Sequence, residues 1–544
     1  MILSQRTRIW VGLLVFSLIF GVSLAGCNPS GTGQGGTVKG PGSPVSGGSF
    51  VIGRVEDTET LDPQGTTTLS SAEVMYLIYD TLLVRDYDMT IKPSLAQKWE
   101  IGDGGKTYTF QLRQGVYFHS GSELTAEDVK FTFERWLANT KSPSRFMISL
   151  IDRIETPDKY TVVVHLKEPF AIFLDNLTSS WASILNKSFV TAHEKDYGVL
   201  YVDGTGPYKF KEWVRNDHLT VVRNDKYAWA PKVFKNGTPY LEEVVFKVIP
   251  EDSTRLAELE QGNIQFTANL PPAEVDRLEK AKKVNLIRYS DLNTTFLGFK
   301  MGKKPLDDIR VRQAINYAIN KDELIKGAYF GLAEPALGPI APGTWGYWKD
   351  VEKAAYKYNP SQAKQLLEEA GWKTPDGAAI RQKDGQPLQI LLMYSPGPAV
   401  ENLMPIIQAQ LKAVGIDVKL QQMEWTAYLA ALRAGQHEMM LMSVRYTNAD
   451  ILYFYFHSKQ RPAPNRFDYV DAKTDELLDI SRTVTDDAKR LSAYQEIQKR
   501  VVESAVWVPL VHEKRAVAAS PKVGGLRVHP AMVLYKMLDV YLAK

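Results

Sequence analysis

Cys27 is the one cysteine among 544 residues, and its setting suits a single kind of chemistry. Arg6 and Arg8 precede an unbroken apolar stretch over residues 9–24, and Leu24-Ala25-Gly26 stand directly before the thiol. A basic start, a short apolar core and small residues at the end make a secretory leader. The stretch is about 16 residues long, short of the roughly 20 that a membrane-crossing helix needs. A cysteine after small residues at that point matches a bacterial lipobox. Its thiol would be acylated, residues 1–26 would be removed, and Cys27 would become the anchored first residue of a protein held outside the cytoplasmic membrane. The plainer alternative is an ordinary buried cysteine beside a leader.

Other chemistry is hard to find. There is no HExxH and no CxxC, and the eight histidines are scattered, so neither a metal site nor any cofactor is expected. Gly104-Gly105-Lys106-Thr107 imitates the end of a phosphate loop, but the first glycine of that motif would fall on Glu100, so a turn before a strand is the better reading. No GxSxG elbow occurs, and carboxylates cannot be paired into a hydrolase dyad from sequence alone. His119 sits between turn signals and reads as structural. The chain is expected to catalyse nothing.

The elements that would carry a binding function are clearer. Residues 28–48 are nearly all Gly, Ser, Thr, Pro, Asn and Gln, too polar to fold. With Cys27 they make a flexible tether with a reach on the order of 25 Å. Folded sequence starts at Ser49, and about 500 residues imply two or three domains. The formal charge of +3 falls to +1 once Arg6 and Arg8 are gone, and no basic run is concentrated enough for nucleic acid. Alternation predicts strands over residues 107–113 and 160–166. Thr125-Ala126-Glu127-Asp128 predicts a helix start, with Val129, Phe133, Trp136 and Leu137 on one apolar face. Further on, an apolar strand over 388–394, a helix over 402–414 stopped by Gly415 and a strand over 416–423 make a βαβ unit with a parallel sheet. Another strand follows over 439–444. Asn359-Pro360 and Gly371 cap a helix and read as structural. Ligands of open parallel sheets bind beyond the carboxyl ends of the strands. That rule points to Ser395-Pro396-Gly397, to Glu424-Trp425 and to residues 445–450.

The block TYTFQLRQGVYFHSGSELTAEDVKFTFER, residues 107–135, resembles the signature of the family 5 extracellular solute-binding proteins, the dipeptide-, oligopeptide- and nickel-binding receptors of ABC importers. Pro93-Ser94-Leu95-Ala96 with Trp99, Leu61-Asp62-Pro63, Gly204-Thr205-Gly206-Pro207-Tyr208 and Arg310-Val311-Arg312-Gln313-Ala314 extend the likeness over everything after residue 49. The resemblance implies an α/β clamshell of the type II periplasmic-binding-protein kind. Lobe I would comprise 49–82, 201–292 and 507–544, with an extra α+β domain at 83–200 packed on it. Lobe II would be 293–506, the chain crossing between lobes near Asn293 and Val506. The protein would act as a monomer, trap its solute by hinge closure, and hand it to a membrane permease with a separate ATPase, since no Walker motif occurs here.

In peptide-binding relatives an aspartate just after the last strand holds the ligand ammonium, and by position that residue is Asp450. The sequence departs from the family pattern at this point: Val444-Arg445-Tyr446 and Asp450-Ile451 stand where a tryptophan and an Asp-Pro pair are usual. Arg445 could grip a carboxylate with its two-pronged guanidinium, although an Arg445–Asp450 ion pair inside the loop is an equal alternative. Trp425, Trp181 and Tyr446 could wall the pocket, against the ordinary fate of core burial. Asn293, Thr294 and Thr295 could meet a ligand backbone in strand fashion. Gly204, Thr205 and Gly206 belong to the candidate site, with a tight structural turn as the alternative. An oligopeptide is the expected ligand, an oligosaccharide or a metal chelate the second reading, and a surface hydrolase the third. Nickel is disfavoured because no histidine falls in these loops, His457 being the nearest.

Overall fold

The computed structural model describes residues 42–397 and 399–543. The expected leader, Cys27 with its expected acylation, and most of the expected tether lie outside the described residues. Residues 46–48, counted above with the tether, are seated on the body: Gly47 N–H donates to the Tyr240 carbonyl at 2.7 Å and Glu242 N–H to the Gly48 carbonyl at 3.1 Å.

One large mixed sheet organises the chain. In spatial order its main path runs through Asp417–Gln422, Gln389–Tyr394, Met439–Arg445, Asn285–Phe299, Trp507–Ala519, Phe266–Thr267, Ser49–Arg54, Glu243–Val248, His218–Arg223 and Tyr208–Val214. The two longest strands, Asn285–Phe299 and Trp507–Ala519, lie side by side and belong to both ends of it. Residues 285–290 pair with 514–519 beside the Phe266–Thr267 strand, whereas 294–298 pair with 507–512 beside the Met439–Arg445 strand. The register shifts between Ser290 and Thr294, so the continuous ladder is interrupted midway. A bulge is a natural place for a strand to bend.

The strand–helix–strand pattern is realised as Gln389–Tyr394, Val400–Ala413 and Asp417–Gln422 with parallel pairing. Gly415 at φ +91 turns the chain after the helix, a conformation glycine adopts without strain. On the opposite face of this end, Met440 and Met442 join Phe296, Tyr428 and Trp507 in a second core. A third core fills the other end of the sheet around Phe50, Tyr208 and Phe246.

Residues 96–166 build a separate four-stranded antiparallel sheet in the order Ala96–Gly102, Thr107–Leu112, Thr161–Leu166, Ile151–Asp158. The turn before Thr107 uses Gly104 at φ +58, as a structural hairpin should. Helix Ala126–Ala138 packs on this sheet. Thr125 and Asp128 form a reciprocal cap, and Val129, Phe133 and Trp136 are fully buried while Leu137 packs at the edge. This face-down packing is what the spacing of four apolar residues requires. Among the described residues no helix is long and apolar enough to cross a membrane.

Candidate functional site

A cavity of about 570 Å³ opens where four segments of the chain converge. Helix Leu69–Ile78 supplies one wall through Leu69, Ala72 and Tyr76, spaced to share a face. The inserted region supplies residues 143–147 and 170–181. The loop after strand Met439–Arg445 supplies residues 445–454, and the C-terminal segment supplies residues 529–535. The volume falls in the usual range for small-ligand pockets.

Four of the residues singled out from sequence line it: Arg445, Tyr446, Asp450 and Trp181. Arg445 ends its strand opposite Asn293. Its Nε donates to Asp291 at 2.6 Å and its Nη2 to the Pro530 carbonyl at 3.0 Å. Asp291 is fully buried and also receives Arg515 Nε at 2.7 Å. Asp450 lies 3.0 Å from Arg482 Nε. Burial pushes the Asp450 carboxyl up to about 6, against the pull of Arg482 and Arg490. The Arg445–Asp450 pair weighed above is therefore not formed; each residue has another partner. Arg482 lies over the Tyr453 ring at 3.9 Å, with Phe170 at 5.1 Å, and its carbonyl accepts from Ala171 N–H at 2.7 Å. It joins the loop side of the cavity to the inserted domain. Tyr446 is held by its backbone, donating to the Leu292 carbonyl, and burial raises its phenol. Trp181 packs against both the inserted-domain core and the core of the sheet's far end.

The remaining candidates are not among the residues lining this cavity. Asn293, Thr294 and Thr295 are buried within the long strand, and their side chains are engaged with Glu513 at 2.8 Å, His512 at 3.1 Å and Ser443 at 2.8 Å. Their donors and acceptors are spent on neighbouring strands, while the adjacent Leu292 does line the cavity. Glu424 caps helix Trp425–Arg433, accepting from Thr426 N–H at 2.8 Å. Trp425 is half exposed. Both follow Asp417–Gln422, the outermost strand, two places away from the strand that feeds the cavity. Residues 395–397 do not line it either.

Gly204, Thr205 and Gly206 form the structural turn named as the alternative. A Cβ on Gly204 would collide with the Ile78 carbonyl, and one on Gly206 would stand 2.5 Å from the Leu77 oxygen. The two glycines let this segment run directly against the end of helix Leu69–Ile78. Thr205 Oγ1 donates to Asp80 at 3.0 Å. His119, also structural, contacts the Gly206 carbonyl at 3.0 Å. Gly206→Ala is expected to lose about 1–3 kcal/mol of stability through forced separation of the two segments. A chemical-denaturation midpoint unchanged from the parent would show that the segment can move aside.

Arg85, Asp175, Arg482, Phe170, Met532 and Tyr535 line the cavity and were not found from sequence. Arg85 and Asp175 form a buried ion pair. Only the Leu69, Ala72, Tyr76 spacing carried a local signal; Arg85 ends the short strand Leu83–Arg85, Asp175 lies in the one-turn helix Phe173–Asn176 and Arg482 near the end of helix Ala472–Thr483, while Phe170, Met532 and Tyr535 come from irregular segments. The one histidine in the lining, His529, is engaged with the Arg85 and Asp86 carbonyls, and among the described residues no cluster of metal-ligating side chains occurs.

The family model for "Bacterial extracellular solute-binding proteins, family 5 Middle" matches residues 90–462. The oligopeptide-binding protein AppA of Bacillus subtilis (strain 168) is 28% identical over 550 residues, 99% of this chain and 100% of its own length. A dipeptide-binding protein of Escherichia coli (strain K12) is 31% identical over 467 residues, 80% of this chain and 84% of its own. The structure of DppA from Helicobacter pylori in complex with the peptide STSA superposes with a TM-score of 0.73 at 31% identity, covering 92% of this chain and 99% of that one.

Proposed function

Because the chain belongs to the bacterial extracellular solute-binding proteins of family 5, we propose that it is the peptide-capturing receptor of an ABC importer. The fold is the α/β, two-lobed type II periplasmic-binding-protein clamshell with an extra α+β domain. Members of this family are solute receptors and not enzymes. In our reading the receptor is a monomer, anchored through acylated Cys27 to the outer face of the cell membrane and tethered by residues 27–48. Lobe I is 49–82, 201–292 and 507–544, the extra domain is 83–200, and lobe II is 293–506.

The observation that carries the reading is the cavity itself. It is walled on one side by residues assigned to lobe I and the extra domain, and on the other by the 445–454 loop and Arg482 of lobe II. A solute seated there touches both sides and so favours the closed form, which would present both lobes to the permease. Relatives named for oligopeptides and dipeptides support a peptide as that solute. A neutral oligosaccharide is the second reading, favoured by the rings of Tyr76, Phe170, Tyr446 and Phe454 around the cavity.

Thermal unfolding of the purified protein tests this against pools of di- to hexapeptides and, in parallel, pools of oligosaccharides. A ligand at about 100 times its dissociation constant adds about 2.7 kcal/mol to stability, a visible rise in midpoint. The expected result is a rise with peptides alone. A rise with sugars alone would discard the peptide reading and keep the receptor.

A further inference from the structure

Residues 83–200 and 293–506, read above as the extra domain and lobe II, meet beside the cavity through a small contact. Among the described residues a single hydrogen bond joins them directly: Ala171 N–H donates to the Arg482 carbonyl at 2.7 Å. Arg482 lies in the last turn of helix Ala472–Thr483. The last four carbonyls of a helix have no partner within it, and this one is met from the inserted domain. The side chain reaches the same way. Its guanidinium lies 3.9 Å over the Tyr453 ring and 5.5 Å from Phe454, on its own side, and 5.1 Å from Phe170, on the other. One cation is thus shared by rings from both sides of the gap. Nearby, a Cβ on Gly105 would stand 3.0 Å from Thr485 Cγ2, so a turn of the inserted sheet rests against the chain just beyond the helix. One backbone bond and one shared cation make a contact that is easily opened.

Arg482 also lines the cavity. Its Nε stands 3.0 Å from Asp450 Oδ1 without the alignment of a hydrogen bond, and both atoms are buried and unpartnered. The Asp450 side chain is only 3% exposed. A polar group entering the cavity therefore finds a donor on Arg482 and an acceptor on Asp450. Bonding to either restrains the guanidinium where it lies against Phe170.

We infer that Arg482 couples filling of the cavity to closure of the lobes: a solute bound at Arg482 Nε and Asp450 Oδ1 fixes the guanidinium between Tyr453 and Phe170, and so holds the Arg482 carbonyl on Ala171 N–H. Arg482 is a positioning residue, acting on closure through residues 170–171. A solute gains these contacts in full only in the closed form, which is the condition for shifting the equilibrium toward it. The inference rests on the receptor reading above.

Hydrogen exchange at the Ala171 amide, read by mass spectrometry on the whole protein, tests it, because that N–H is protected only while the contact is made. Saturation with the di- to hexapeptide pool is expected to slow exchange there by about tenfold, and Arg482→Gln to speed the ligand-free exchange by about tenfold and abolish the slowing. Arg482→Lys, which restores a cation, should recover part of the protection. Unchanged exchange in strand Asn285–Phe299 would show that the variants are folded. The same Ala171 rate in Arg482→Gln as in the parent would overturn the inference. So would a parent rate that the pool leaves unchanged while raising the thermal midpoint. A pool that leaves the midpoint unmoved would overturn the peptide reading alone, and the ligand-free comparison of variant with parent would still decide on Arg482.

Discussion

Replacing Lys536 by methionine is expected to remove about 3–5 kcal/mol of unfolding free energy. Lys536 and Asp80 form an ion pair in which both side chains are 1% exposed. Lys536 Nζ also donates to the Tyr79 carbonyl at 3.1 Å. Asp80 in turn accepts from Thr205 Oγ1 at 3.0 Å, Tyr227 OH at 3.3 Å and Trp229 Nε1 at 3.1 Å. One carboxylate thus ties together the end of helix Leu69–Ile78, the 204–208 turn, the segment after strand His218–Arg223 and the C-terminal segment. Methionine keeps the length of the lysine stem and removes its ammonium, leaving a buried carboxylate with neutral donors and the Tyr79 carbonyl without this donor. The loss would be read as a lower urea midpoint at unchanged slope. Adding Asp80→Asn to Lys536→Met should recover part of it, because the uncompensated charge goes too. A single-variant loss below about 1 kcal/mol would show that the neutral donors suffice for Asp80.

Acid is expected to weaken the fold well before most carboxylates titrate. Burial holds three imidazoles neutral, with His437 pushed down to about 4 and His512 and His529 to about 3. Lys300, Lys321 and Arg85, respectively, add to the effect. In the unfolded chain these rings take up protons near their ordinary 6.5, so below that pH the unfolded state binds more protons than the folded one. Their contribution is complete above pH 6.5 and is lost as pH falls toward 4. Two carboxyls work the other way: burial raises Glu73 to about 7 and Asp450 to about 6. Their ionised forms are disfavoured in the fold, so stability is gained as pH drops through those values. The imidazoles contribute about 10 kcal/mol over pH 6.5 to 4 and the carboxyls offset about half, leaving a net loss on the order of 5 kcal/mol. Urea unfolding at pH 7 and pH 4 measures this directly. Equal or greater stability at pH 4 would mean that the rings are reached by water in the folded state.

His529 connects this acid sensitivity to the cavity. Its Nε2 sits between the Arg85 and Asp86 carbonyls, at 3.2 and 3.1 Å, and the ring lines the cavity. The neutral ring donates a hydrogen bond to these carbonyls. Protonation would place a second cation beside Arg85 in a wall already closed by the Arg85–Asp175 pair.

Helix Ala126–Ala138 and the unit running from Gln389–Tyr394 to Asp417–Gln422 were legible in sequence for a local reason. Each buries one face against a sheet, and burying one face imposes a period on neighbouring residues. The strand-end rule then located the 445–450 loop. It also nominated Glu424 and Trp425, because a rule that treats all strand ends alike cannot distinguish an edge strand from the one that faces the rest of the molecule. Gly204, Thr205 and Gly206 stood out as a motif, but a motif alone does not reveal whether glycine makes room for a ligand or for a helix end.

By itself the sequence determined the α/β class, the segments that form its βαβ unit, the two central strands of the inserted sheet, and the likeness to solute receptors, since all of these rest on patterns among residues near one another in the chain. Only the tertiary structure decided which charges are spent. Arg445 meets Asp291 from 154 positions away and Arg85 meets Asp175 from 90. Any of several carboxylates could have served either arginine, and the choice is made by which strand ends and loops the fold brings within 3 Å of one another, a contact that leaves no local trace in the chain.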